Sequence, residues 1–491
     1  MCYNVDEVDS MHLSDVKKFI RCEKLYQNSL VSDTNVIPFL NIHIDVCESI
    51  KAKLQIENYQ IGLPNQTNSD TEDLLQKTNW LFRARFEYND LRVKIPLVHK
   101  NKDQLDLYFI SYSISENLDE SINILFCEYV LQHLGYKIGE IYLLYLNKSY
   151  VRNDDLDHDQ LWILTDKFTK KNKKIKDYVN DSTINPEQIL EKMANIANAD
   201  IIVERSSKCS GRNRCQYYLN CFPEMEVKQD NSILTLVNSN KKEAMYQSGI
   251  KYLKDIDLDK FEGNRIQYCQ VMADKNGGLF FDKLALKQWM DRIKFPLAFI
   301  DFEWDLYAIP PFKQMKPFDV LLFQYSLHIY DGNKLKHYGY ISQGDCREEI
   351  ARLLVEQIPD DATVLAYNAV GAEKIRLLEL ARLFPQYSKK LKNIADNIVD
   401  MAVVFTSGIV YDIRMRGNFT LKTIENMIDD QHSYNDLQVN DGMKAVIIHR
   451  LMQNSTSEQS DIYHQQLSEY CGLDTYSLYK LYIWLKDILN R

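Results

Sequence analysis

The sequence predicts an α/β protein built from more than one domain. Three observations point there. A length of 491 residues exceeds one ordinary core at about 100–200 residues per domain. Strand and helix signals alternate through the last two hundred residues. A separate amino-terminal region carries a hairpin pattern and a cysteine cluster of its own. Composition agrees, with 45% hydrophobic and 26% charged residues, and no apolar run reaches the roughly 20 residues that cross a bilayer. The first thirty residues are polar and acidic without a secretory pattern, so a cytoplasmic protein with no membrane contact is expected. A net charge of −10 argues against a polyanion-coating protein but allows an enzyme that grips one strand end through a local patch.

From the amino terminus, Cys22 falls near the end of a first helix and Pro64–Thr71 reads as a loop. Leu91–Val98, a turn at 100–104 and Leu105–Tyr112 read as a hairpin. Lys170, Lys171, Lys173, Lys174 and Lys176 form a dense basic run, read as a solvated loop with a phosphate-contacting edge as the alternative. Ten cysteines in this length do not make a disulfide scaffold. Cys209, Cys215 and Cys221 nevertheless recur every sixth residue, whereas Cys47, Cys127, Cys269, Cys346 and Cys471 read as small core residues.

Lys228–Lys242 is polar, and Glu243–Arg292 has a helical pattern that suggests a connector. Beyond it, Leu297–Phe302, Leu322–Tyr330 and His337–Ile341 read as a three-strand meander. Ile350, Leu353, Leu354 and Ile358 mark a helix, Thr363–Tyr367 a strand, Ile375, Leu378, Leu380 and Leu383 another helix, and Tyr463–Leu489 a long final helix.

An ordered acidic set lies on these elements. Asp301 and Glu303 are two apart on a strand and so leave the same face. Glu373 follows in Asn368-Ala-Val-Gly-Ala-Glu373, and Tyr470 and Asp474 are four apart on a helix and share a face. An inward acid after the apolar run before Asp301 is costly without a cation. Hard divalent ions prefer oxygen ligands, and two such ions about 3.5–4 Å apart cleave phosphodiesters. Asp400 reads as a helix-starting cap, as does the segment Gly417–Lys422. Gln324, Ser326 and His328 alternate on one strand face, either lining the same cleft or facing partly outward.

Asp-x-Glu, Asn-x3-Ala-Glu and Tyr-x3-Asp, in this order, resemble the three motifs of the DnaQ-like exonuclease superfamily, in the branch whose last motif carries Tyr (DEDDy). The resemblance implies an RNase H-like fold in which Asp301, Glu303, Glu373 and Asp474 hold two Mg²⁺ or Mn²⁺ ions and Tyr470 positions the water. Ala372-Glu373 departs from the aromatic residue and Asp usual in that superfamily.

Cys22 with Cys209, Cys215 and Cys221 resembles the thiolate set of iron–sulfur RecB-like (PD-(D/E)xK) nucleases, which implies a [4Fe–4S] cluster, with Zn²⁺ as the alternative. Together with Leu146–Arg152, Phe323–His328 and Ala366-Tyr-Asn368, the whole is similar to a bacterial family that joins such a domain to a DnaQ-like exonuclease. The implied boundaries are 1–226 for a RecB-like restriction-endonuclease fold, 227–293 for the helical connector and 294–491 for the exonuclease. Pro96, Phe109 and Ser111 occupy the positions where the RecB-like family has its catalytic residues, so that domain is expected to be inactive and to serve as a platform. The implied activity is 3′–5′ exonucleolysis of a single-stranded 3′ end of DNA or RNA, with a protein partner possible. The alternative is a non-catalytic nucleic-acid or protein-binding subunit.

Overall fold

The computed structural model describes residues 10–31, 40–196, 199–206, 208–209, 214–428 and 437–491. It contains mixed α/β layers in two units, Met1–Pro223 with Leu306–Asp319, and Glu224–Asp305 with Val320–Arg491. The residues expected to form a separate connector fall within the second unit. No described helix is long and apolar enough to cross a membrane.

In the first unit, helix α1 (Leu13–Arg21) precedes a mixed sheet. Its main strands are β1 (Trp80–Tyr88), β2 (Leu91–Asn101) and β3 (Gln104–Ser111), followed by helix α2 (Glu120–His133), then β4 (Lys137–Leu146) and β5 (Trp162–Thr165). β1, β2 and β3 pair antiparallel in sequence, and α2 carries the chain across to β4, which lies parallel to β3. Strand alternation places Val93 and Ile95 of β2 beneath α2 with Phe126, Val130 and Leu131. The hairpin expected over 91–112 is therefore present, and Phe109 lies in the core at 3% exposure.

The second unit contains a five-stranded sheet in the order β8-β7-β6-β9-β10. Its strands are β6 (Leu297–Leu306), β7 (Val320–Tyr330), β8 (Leu335–Ile341), β9 (Thr363–Ala366) and β10 (Ile398–Asp400). β7 and β8 pair antiparallel, whereas β9 lies parallel to both β6 and β10. Helices α3 (Arg347–Gln357) and α4 (Glu373–Leu383) cover one face. The last helix, α7 (Ser457–Leu489), covers the other, preceded in sequence by α5 (Leu421–Ile428) and α6 (Gly442–Met452).

The period of two on β6 divides its residues between these layers. Ala298, Ile300 and Phe302 pack with α3 and α4, and Leu297 and Phe299 pack with Leu478, Leu481 and Leu485 of α7. In α4 the buried stripe is Leu377, Leu380 and Ala381, while Ile375 and Leu378 are each 40% exposed. The expected helix exists, but the apolar residues at 375 and 378 do not mark its inner face, because burial follows Glu373, Leu377 and Leu380 at helical spacing.

One buried acid sets a pH dependence. Glu128 on α2 is 4% exposed, and burial pushes its carboxyl up to about 7, with Lys176 opposing. The folded state thus holds a proton that the unfolded chain releases near pH 4.5. This stabilisation is complete below pH 4.5 and is lost as pH rises through about 7. Glu128→Gln is therefore expected to match wild type at pH 4.5 and exceed it by on the order of 2–3 kcal/mol at pH 8, read from urea melts at the two pH values.

Candidate metal centre

The parity that buries Leu297 and Phe299 against α7 carries Asp301 and Glu303 to the same side. Phe299 meets Tyr479 and Tyr482 at ring-centroid distances of 5.9 and 6.3 Å. Farther along both elements, Cys471 Sγ lies 3.5 Å from Asp301 Oδ2. Asp301, Glu303 and Cys471 form the one set of three potential ligands, among the described residues, whose donor atoms all lie within 4.8 Å of one another.

Glu373 arrives from the opposite layer as the first residue of α4, on its buried stripe at 3% exposure. The helix N-terminus favours its negative charge, yet Oε2 has no hydrogen-bond partner among the described residues. The turn before α4 is held by Asn368, whose left-handed φ of 55° suits asparagine. Its backbone N–H donates to Asp400 Oδ1 at 2.9 Å, and the N–H of Ala402 donates to the same oxygen at 2.9 Å. Asp474 is 7% exposed, and Tyr470 lies one turn before it at 5%.

These groups repel one another. Burial and then the Glu373 charge push the Asp301 carboxyl up to about 8. Burial also raises Glu303 well above the carboxylate range, with Asp301 and Asp474 adding and Lys422 opposing. Glu373 rises to about 7, through burial first, opposed by its own backbone N–H, with Asp400 and then Asp474 adding. Five carboxylates therefore share one electrostatic neighbourhood, the four expected from sequence and Asp400. The Asp400 side chain does accept turn N–H groups, as a cap would, and it faces Glu373 as well.

Lys422 is a cation in charge range of this set. Its Nζ donates to the Asn440 carbonyl and sits 5.7 Å from the Tyr470 ring centroid. By sequence it ends a capping segment. Only its four-carbon reach from α5 reveals the second role. Cys471, read as core, is indeed fully buried, but it is buried against acids.

Gln324, Ser326 and His328 do not face solvent. Gln324 Nε2 donates to the Leu467 carbonyl at 2.8 Å, and Thr475 Oγ1 lies 2.7 Å from Ser326 Oγ and 2.8 Å from His328 Nδ1. Burial pushes His328 down to about 4, with His337 adding, so a neutral imidazole holds the hydroxyl beside Asp474. Arg450 of α6 closes on buried Asp305 with two bonds of 2.9 and 2.6 Å, which fixes the end of β6.

In the first unit Cys221 lies in charge range of Cys215 and Cys22. Cys22 is the extended residue between α1 and the helix Glu23–Ser29. Arg21 Nη2 donates to the Lys208 carbonyl at 3.3 Å, beside Cys209. The Cys215 N–H donates to the Cys209 carbonyl at 3.1 Å, and Asn28 Nδ2 lies 3.8 Å from Cys221 Sγ. Burial raises the Cys221 thiol, with the charges of Cys215 and Cys22 adding. No three of these sulfurs come within 4.8 Å of one another, wider than the roughly 3.8 Å that Zn–S bonds of about 2.3 Å impose in a tetrahedron.

The positions singled out in the first unit lie on β2 and β3. Ser111 is buried and bonded to Ser113, and Pro96 lies within β2. Asp106 accepts the Glu140 N–H at 2.9 Å and the Asn101 side chain at 3.2 Å. In the basic run, Lys173 pairs with Asp181, Lys174 with Glu140 at 3.2 Å, and Lys176 with two carbonyls at 2.8 Å. Those three charges are thus compensated within the unit.

Residues 298–420 match the model of a family described as a domain of unknown function, DUF2779, a span holding Asp301, Glu303, Glu373 and Asp400. The chain is also similar to the uncharacterised protein MG366 of Mycoplasma genitalium, 24% identical over 252 residues that make up 46% of this chain and 37% of that protein. The chain thus covers little over a third of that relative's length. No solved structure matches.

Clustered acids carry a stability signature. Without divalent ions at about pH 9, above the raised Asp301 value, Asp301→Asn removes a repelling charge and is expected to melt above wild type by about 1 kcal/mol, or roughly 2–4 °C. With Mn²⁺ at about 100 times its dissociation constant, wild type gains about 2.7 kcal/mol and the order reverses. Thermal melts with chelator and with Mn²⁺ check both signs.

Proposed function

We propose that the second unit is a Mg²⁺- or Mn²⁺-dependent 3′–5′ exonuclease acting on a single-stranded end of DNA or RNA. The observation that carries this reading is that Asp301, Glu303, Glu373 and Asp474 lie in one buried electrostatic neighbourhood, with Glu373 Oε2 lacking a hydrogen-bond partner among the described residues. Such an all-oxygen donor set fits a hard divalent cation. The strand order with β6 central, one antiparallel partner pair and two parallel additions also agrees with the RNase H-like fold that the motifs imply.

In this reading, Asp301, Glu303, Glu373 and Asp474 hold the ions, which when bound supply an activated water and neutralise charge on the leaving oxygen. Tyr470 orients the attacking water through its hydroxyl. Lys422, beside both Tyr470 and Glu303, offers a positive charge to a phosphate oxygen. Thr475, clamped by Ser326 and His328, fixes the rotation of α7 on which Tyr470 and Asp474 depend. The first unit serves as a platform for nucleic acid or a partner protein, stapled by a [4Fe–4S] cluster on Cys22, Cys209, Cys215 and Cys221.

End-labelled single-stranded DNA and RNA incubated with Mn²⁺ should shorten from the 3′ end. Asp301→Ala and Asp474→Ala should abolish shortening, and Tyr470→Phe should slow it on the order of 10²-fold or more. Binding without shortening by wild type would instead support a non-catalytic subunit. Protein prepared anaerobically should carry iron, sulfide and a visible thiolate–iron band, all diminished in Cys215→Ala. A colourless preparation with stoichiometric zinc would refute the cluster.

A further inference from the structure

The thiol of Cys471 is in the acidic centre, and a purely hard-ion site has no use for it. Its Sγ donates to Asp301 Oδ2 at 3.5 Å, and Glu303 completes a set whose donor atoms all fall within 4.8 Å. A tetrahedral ion with a metal–oxygen bond of about 2.0 Å and a metal–sulfur bond of about 2.3 Å separates oxygen from sulfur by about 3.5 Å. The observed pair already has that spacing. The neighbouring Asp474 lies in charge range of both Glu303 and Cys471.

We propose that Asp301, Glu303 and Cys471 form a mixed carboxylate–thiolate site for a borderline or soft divalent ion, Zn²⁺ foremost, which competes with Mg²⁺ or Mn²⁺ for the same centre. Thiolate ligation selects zinc-like ions over the hard ions that carboxylates alone accept. On binding, the metal–sulfur bond forms as the S–H bond breaks, and the proton leaves to water, with no change of oxidation state. The competition rests on the carboxylates being a cation site, and its functional consequence is that zinc holds the exonuclease silent. The coordination itself does not depend on nuclease activity.

Cd²⁺ is a spectroscopic stand-in for zinc, because its thiolate complexes absorb in the ultraviolet. The full chain, with its cysteine cluster loaded, would be titrated with Cd²⁺ and then with Mn²⁺, without nucleic acid. One equivalent of thiolate-bound Cd²⁺ is expected, held more weakly when excess Mn²⁺ competes, and its ¹¹³Cd resonance should fall between those of all-oxygen and all-sulfur sites. Cys471→Ser and Cys471→Ala should both lose that absorption, with Cd²⁺ affinity at the centre falling on the order of tenfold or more. Glu303→Gln, which keeps the thiol, should weaken binding but retain the band. Absence in wild type of any Cd²⁺–thiolate band beyond that of the cysteine cluster would overturn the proposal even if a variant failed to fold. An undiminished band in both Cys471 variants would overturn it as well. Loss of the exonuclease reading alone would leave these outcomes intact.

Discussion

The second unit depends on the packing of one face of β6 against α7. Leu297 and Phe299 sink into the apolar part of that helix, and the same pleat then delivers Asp301 and Glu303 to its polar part. Because strand side chains alternate with a period of two, the apolar anchor and the acidic pair cannot be separated. A slip of one residue would exchange them for Ala298, Ile300 and Phe302 and empty both layers. The core therefore enforces the register of the site.

That arrangement is electrostatically expensive, since each buried carboxylate raises the others. The surroundings oppose the repulsion in several ways. Asp305, one pleat beyond Glu303, is matched by Arg450 at 2.6 Å. Lys422 faces Glu303 from α5, and the N-terminus of α4 faces Glu373. The Gln324, Ser326, His328 and Thr475 contacts hold α7 through neutral groups, adding no further charge. What remains is a cluster of carboxyls that hold their protons above the ordinary carboxylate range, with an unpartnered oxygen at Glu373, and a divalent cation is the charge that would ionise and satisfy them.

Much of this was legible in the sequence because the relevant spacings are local. Two residues on a strand place Asp301 and Glu303 together, four on a helix place Tyr470 and Asp474 together, and an apolar run before an acid marks a charge directed inward. The proximity of Cys22 to the later cysteines was legible only through resemblance, since nearly 190 residues separate them. Cys471, Asp400 and Lys422 carried no local signal of proximity. A buried cysteine next to Tyr470 looks like core packing, Asp400 caps a turn as expected while also facing Glu373, and Lys422 reaches the centre from a helix whose placement depends on tertiary packing. Ile375 and Leu378 failed in the opposite sense. Their apolarity marked the helix, yet its buried stripe begins at Glu373, so an acid takes an inner position that hydrophobicity would assign elsewhere.

The proposed chemistry depends on the carboxylates being a site for divalent ions. The most direct measurement is the anomalous scattering of Mn²⁺ in crystals of the protein soaked with that ion. Two peaks about 3.5–4 Å apart, bonded to Asp301 and shared among Glu303, Glu373 and Asp474, are expected. Saturating Mn²⁺ that leaves these side chains without a bound ion would contradict the account.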